Sequence, residues 1–184
     1  MNGCIATNGL ISRGLPSAML PARIPLRISI YFTALANWNF SKVQRHKVLL
    51  QAQRANGVKV VYGMFKKVDR TCRLCHREYQ TYEEKMTDVN IAVYLLNLAF
   101  QDRYDRAILI SGDTDLIPAI EAVQKTFPEK EVGVVIPIGR SSEQLKQVCS
   151  FHMKMKEAHL KTCMFPEEIN LSQGKFLHRP PSWS

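Results

Sequence analysis

Short runs of β-branched and aromatic residues alternate along most of this chain with longer segments of helical period. Ile28, Ile30, Tyr31, Phe32 and Thr33 predict a strand within Arg27 to Ala34. Ser41 fits a helix N-cap, the apolar stripe Val43, Val48, Leu49, Leu50, Ala52 follows, and Asn56-Gly57 supplies the stop. Val58 to Phe65 reads as a second strand. Thr87 or Asp88 opens a buried helix to about Ala99–Phe100, with Ile91, Ala92, Leu95, Leu96, Leu98 and Ala99 round most of its circumference. Ala107 to Ile110 is a short buried strand, Leu116 to Thr126 a helix, and Glu131 to Ile136 another strand. Ser141 caps a helix through Val148, and Phe151 to Met155 forms a short last strand. Strands alternating with helices predict an α/β fold whose mainly parallel sheet is covered on both faces. Outside this 27–163 domain, residues 1–26 show no sustained period and read as irregular, and 164–184 as an extended tail. Residues 69–82 read as a polar insertion within it.

Charge sharpens the picture. The 184 residues carry a net charge of +9, but the first acid is Asp69, and ten Lys and Arg precede it. The remaining chain carries fifteen bases against all sixteen acids. A basic half beside an acidic cluster suits a polyanion held near a metal site. The plainer alternative is a basic protein with no such partner. Five cysteines, an odd number, argue for a reducing compartment. The first thirty residues hold Arg13, Arg23 and Arg27 and no acid, faintly like a transit sequence, but Pro16, Pro21 and Pro25 interrupt it. No apolar run approaches the roughly 18 residues a bilayer crossing needs. The expectation is a cytoplasmic chain with no membrane association.

The stretch Arg106 to Ile120 holds the candidate chemistry. Its strand breaks at Ser111 and Gly112 into Asp113 and Asp115, then a helix, the βα joint at which open α/β sheets build their sites. Asp88, at the start of its buried helix, belongs at the same edge if that helix packs beside the central strand. Carboxylates gathered together repel one another unless a cation sits between them. Mg2+ or Mn2+ takes oxygen ligands and keeps waters and substrate phosphate in its shell. Such an ion acidifies water and neutralises phosphate charge. Helix capping is the competing role, above all for Asp88. One helix needs one cap, so Asp115 as the cap leaves Asp113 as the ligand. Glu84 and Asp88 have helical i, i+4 spacing, which reads as solvated surface.

The string Glu83 to Ala92, with Tyr104-Asp105 and Ala107 to Leu116, resembles the NYN-domain family of the PIN-like nuclease superfamily. Tyr31 to Ala34, Phe127-Pro128 and Arg179-Pro180-Pro181 are also similar to it. The resemblance implies a PIN-like three-layer α/β/α sandwich and metal-dependent RNA cleavage. It makes Asp88, Asp113 and Asp115 the acidic site, with Ser111, Thr87 and Asn90 as neighbours. One departure concerns the first strand, which in the family ends in an Asp of the metal site. Here the nearest candidate is Cys4-Ile5-Ala6-Thr7-Asn8-Gly9, with no acid. Either that strand is missing or it is present and degenerate. Loss of its carboxylate removes a charge and a hard ligand, and weakens cation binding.

Cys72-Arg73-Leu74-Cys75-His76 supplies half of a tetrahedral Zn2+ site. His76 follows Cys75 directly and is poorly spaced as a third ligand, so Cys149 or Cys163 would have to complete the shell. A redox pair, two surface thiols and a haem attachment are the alternatives, the last at odds with a reducing compartment. Lys42, Arg45, Lys47, Lys85 and Arg140, with Arg54, Lys66 and Lys67, are candidate contacts to an RNA backbone. Tyr31, Trp38 and Tyr62 are candidate base stackers, although aromatics on strands more often fill cores. The expected function is a metal-dependent ribonuclease acting on single-stranded RNA, with self-association left open. The alternative is an RNA- or protein-binding module of the same fold. A phosphate-handling enzyme ranks behind both, because no Gly-rich phosphate loop is present.

Overall fold

The computed structural model describes residues 3–8, 26–171 and 174–183, with side chains from Ile28 onward. Six strands form one parallel sheet: β1 (Gly3–Asn8), β2 (Leu26–Thr33), β3 (Lys59–Tyr62), β6 (Arg106–Ile110), β7 (Glu131–Ile136) and β8 (Phe151–Lys154). Their order is β3-β2-β1-β6-β7-β8. Between them run α1 (Phe40–Ala55), α2 (Thr87–Phe100), α3 (Ile117–Thr126) and α4 (Glu143–Val148), and α5 (Glu157–Thr162) follows β8. The parallel α/β expectation is met.

Successive strand residues point to opposite faces, and the core divides accordingly. Ile30 and Phe32, Ala107 and Leu109, and Val132, Val134 and Ile136 pack with Ile91 and Leu95 of α2 and Ile120 and Val123 of α3. Tyr31 faces the other way, onto Leu49 and Leu50 of α1. Ile108, Ile110 and Val135 share that second face with Met155. α2 and α3 therefore pack on the first face, and α1 on the second beside β2.

The structure departs from the sequence reading in five places. The first strand exists, so of the two alternatives it is present without its acid, and residues 3–8 are not irregular; residues 9–25 lie outside the described residues. β1 carries only two β-formers, Ile5 and Thr7, and draws its pairing from β2 and β6 on its two sides. Its position between two partners, rather than its own propensity, makes it a strand.

The single strand expected over 58–65 splits at Gly63, whose N–H donates to the Thr33 carbonyl (2.8 Å). Beyond Gly63 the chain leaves the sheet as β4 (Met64–Thr71) and returns as β5 (Glu78–Lys85), so the polar insertion is an antiparallel hairpin. Its strands are mostly exposed and lack the apolar alternation that marks a half-buried strand.

Two caps also shift. Asn39 Oδ1 accepts from the Lys42 N–H (3.0 Å), while Ser41 donates its hydroxyl to that same oxygen. Ser142, not Ser141, caps α4 through the Leu145 N–H.

The tail is not extended. β9 (Glu168–Leu171) and β10 (Lys175–His178) form a second hairpin, and a 3-10 turn spans Pro181–Trp183. Phe165 and Trp183 pack against Tyr31, Leu49, Leu50 and Val58. Between this hairpin and α1 opens an apolar cavity of about 350 Å³, lined by Val48, Ala52, Leu160, Phe165 and Leu177 among others. It shares no residue with the acidic stretch.

Trp183→Ala is expected to lower stability by about 2 kcal/mol, below the usual range for a fully buried aromatic because Trp183 is half-buried. Urea denaturation measures this; an unchanged midpoint would mean the tail contributes nothing to the fold.

Candidate active site

Parallel pairing brings the carboxyl ends of β2, β1 and β6 to one edge, where the acids assemble. Past Ile110, the Ser111 hydroxyl accepts from the Asp113 N–H (3.1 Å), and Asp113 Oδ1 accepts from the Asp115 N–H (3.0 Å). Asp113 is thus the cap of the 3-10 turn Thr114–Leu116 that leads into α3, the reverse of the capping expected from Asp115. A carboxylate has about four acceptor sites, so one capping bond does not exhaust Asp113.

Asp88 is not a cap. α2 begins after Met86, which sits at φ 76° and gives no side-chain capping bond. Asp88 lies in the first turn, half-buried. The start of α2 is held by close approach to the end of β3. A Cβ added to Gly63 would lie 2.5 Å from Thr87 Oγ1 and 2.7 Å from the Lys85 carbonyl oxygen. Asn90 donates its amide to the Tyr62 carbonyl oxygen (3.3 Å).

The electrostatics join the segments. Burial, then the charges of Asp113, Glu84 and Asp115, push the Asp88 carboxyl above the usual carboxylate range. Three acids, from β5 and the turn after β6, therefore act on Asp88 of α2. Glu84 is the member that sequence reading set aside as solvated surface. It lies on a strand, not a helix, and adjacent strand residues face opposite ways. Glu83 pairs with Arg70 and with Lys85 (2.9 Å), while Glu84, itself exposed, accepts the Thr87 hydroxyl (2.5 Å). A period of two across Glu83-Glu84 would have separated them. The Glu84 charge reaches Tyr31 and His46 as well. Burial foremost raises the Tyr31 phenol, with Glu84 adding to it against a Thr33 hydrogen bond. Burial and Lys42 lower the His46 imidazole, and Glu84 opposes them. His46 Nε2 lies 3.2 Å from Thr33 Oγ1.

The basic candidates divide. Arg140 stands over the acidic turn, since a Cβ on Gly112 would come 3.1 Å from its own Cβ. Lys42 is exposed at the start of α1, on the side of His46. Lys85 ends β5 in its ion pair with Glu83. Arg45, half-buried, and exposed Lys47 lie along α1. Of the aromatics, Tyr31 is core, and Trp38 is already stacked on Tyr82, 3.7 Å between centroids. Tyr62 is exposed, and its hydroxyl accepts from Arg54 (2.9 Å).

The donors suit a hard dication in kind, and only partly in number. Among the described residues, no three His, Cys, Asp or Glu side chains gather closely enough to hold a metal ion. β1 ends at Asn8, beside Phe32 of β2 and one residue past the Thr7–Ile110 pair, so an amide residue ends the central strand. Mg2+ is ordinarily held by one or two carboxylates, with water and substrate phosphates as the rest. Asp88 and Asp113 meet that minimum.

Cys72 and Cys75 lie elsewhere, at the tip joining β4 to β5. The Cys72 thiol receives backbone hydrogen bonds from Cys75 and Leu74 and one from the Cys75 side chain, which together lower its pKa. The expected completion by Cys149 or Cys163 does not occur. Cys149 is buried in the main core, its thiol pushed up to about 11 by burial, and Cys163 packs with the Met155 cluster.

The NYN-domain family model matches residues 21–156. The chain belongs to the NYN-domain family. This places it in the PIN-like nuclease superfamily and gives it a nuclease-like fold. The NYN domain is also similar to the solved structure of a protein of unknown function from Vibrio parahaemolyticus, at 16% identity and a TM-score of 0.57. That match covers 84% of this chain and 93% of the other, and speaks to fold alone. A curated relative, 6-hydroxy-3-succinoylpyridine 3-monooxygenase of Pseudomonas putida, is 28% identical over 161 residues. Those residues are 83% of this chain and 49% of the relative, so the NYN domain spans about half of that protein's length.

Two outcomes follow from the packing and charge of this edge. Gly63→Ala forces Thr87 and the β5 carbonyl away, and is expected to cost about 1–3 kcal/mol as an overpacked site; denaturation midpoints give the value. Asp88→Asn is expected to stabilise the fold near neutral pH, because it removes a buried charge among like charges. Its folded pKa is raised, so the destabilisation it relieves is present above that pKa and fades as pH falls to the ordinary carboxylate range. Melting temperatures of both proteins across acid to neutral pH check this, and an advantage of the variant that grows toward low pH would contradict it.

Proposed function

We propose that this NYN domain is a metal-dependent ribonuclease that cleaves single-stranded RNA at the carboxyl edge of its sheet. The reading extends the helix-covered sheet to a full PIN-like three-layer sandwich. It is carried by one observation: the charges of Asp113, Glu84 and Asp115, from separate elements, add to burial in raising the Asp88 carboxyl. Asp88 and Asp113 are the residues that would hold Mg2+ or Mn2+, and Asp115 adds charge beside them. When bound, the ion supplies an acidified water and neutralises charge on the scissile phosphate. Glu84, accepting the Thr87 hydroxyl, braces the start of α2 and so the position of Asp88. Arg140 and Lys42 flank this edge and draw the phosphate backbone toward acids that would otherwise repel it. Lys47, Arg45 and Lys85 extend the basic surface. The odd number of cysteines accords with a cytoplasmic setting.

Asn8 favours a second reading. Without a carboxylate ending β1, the edge has less affinity for a cation, and the fold then serves as an RNA- or protein-binding module that does not cut.

Labelled single-stranded RNA, incubated with Mg2+, Mn2+ or EDTA, separates the two. Cleavage is expected with metal and not with EDTA. Asp113→Asn is expected to reduce the rate by at least about 100-fold, beyond the 10–100-fold typical of groups one step removed from a metal. Asn8→Asp is expected to lower the metal concentration needed for half-maximal rate. RNA binding without cleavage in either metal, for both the natural chain and Asn8→Asp, would establish the second reading.

A further inference from the structure

The tip of the β4–β5 hairpin has no role in the chemistry above. The backbone there is closed by two hydrogen bonds, from the Cys72 N–H to the Arg77 carbonyl (2.9 Å) and from the His76 N–H to the Cys72 carbonyl (2.9 Å). His76 turns the chain with φ 55°, a left-handed conformation uncommon outside glycine. This tight turn holds half-buried Cys72 and exposed Cys75 together at the tip. A tetrahedral Zn2+ ion needs four donors and accepts Cys-x-x-Cys as two of them.

The other two do not come from the chain itself. Among the described residues no third His, Cys, Asp or Glu joins the pair, and Cys149 and Cys163 are packed elsewhere. The tip is outward-facing. Leu74 is 94% exposed, an apolar residue at the apex of a ribbon with nothing described to cover it. Residues 70–77 contain Arg70, Arg73 and Arg77 and no acid, and Arg70 is already paired with Glu83. A zinc ion with four thiolates carries a net charge of about −2, which Arg73 and Arg77 of two tips would offset. A second tip of the same kind also brings a second Leu74 to cover the first, in the self-complementary contact of a two-fold dimer.

We propose that Cys72 and Cys75 form a half-site for Zn2+, completed by the same two cysteines of a second copy of this chain. Four thiols give up four protons to the solvent as one ion is bound between two chains, with no change of oxidation state. The inference stands apart from the ribonuclease reading, and its test does not use RNA cleavage.

The full reduced chain, stripped of metal, is titrated with Co2+ and then Zn2+. Absorption bands of tetrahedral cobalt–thiolate are expected, saturating near one ion per two chains and displaced by Zn2+. Light scattering on a sizing column is expected to show the mass doubling with Zn2+ and returning to that of one chain with chelator. Cys72→Ser and Cys75→Ser are each expected to weaken metal binding at least about 100-fold and to abolish the dimer, whereas Cys163→Ser does neither. Circular dichroism of each variant confirms that the exposed substitution leaves the fold intact. One ion per chain without dimerisation, binding that survives both substitutions, or a reduced pair that takes no metal would each overturn the proposal.

Discussion

Parallel pairing is the constraint from which the rest of this molecule follows. When six strands run the same way, every carboxyl end arrives at the same rim, and whatever the connecting loops carry is delivered there. The sequence places its acids just beyond Ile110 and just inside α2, and the register of β6 against β1, and of β1 against β2, leaves those segments as neighbours. Burial of Ile30, Phe32, Leu109 and Val134 on one face and Tyr31, Ile108 and Val135 on the other holds that register. A slip by one residue would exchange the faces of every strand.

The rim is a place of stored repulsion. Asp88 is held against like charges because Gly63 admits the start of α2 where any side chain would exclude it. The fold tolerates that arrangement through its core. The end of β1 is where this logic weakens, since Asn8 contributes no charge to the rim. An acid from β5, Glu84, reaches the same neighbourhood from outside the sheet.

Much of this was legible before any coordinates. Long periodic helices such as 87–100, and β-branched strands such as 131–136, declare themselves through burial patterns that do not depend on distant partners. Asp113 and Asp115 were visible from the strand–Gly–Asp–helix sequence. What failed to show were elements whose stability is borrowed. β1 is a strand because two neighbours pair with it, and β4 and β5 pair with each other while exposing both surfaces. The capping order of Asp113 and Asp115 turns on which carboxylate lies ahead of the 3-10 turn, a geometry that composition does not encode. Glu84 was lost because helical spacing was applied to residues that lie on a strand.

The β4–β5 ribbon has one further consequence. Its strands are eight residues each, about 26 Å from root to apex at the usual rise. Gly63 and Glu84 sit at the root, and Leu74 at the apex. Whatever is held at the apex is thereby kept nearly one small-domain diameter from Asp88, and the acidic rim stays clear of it.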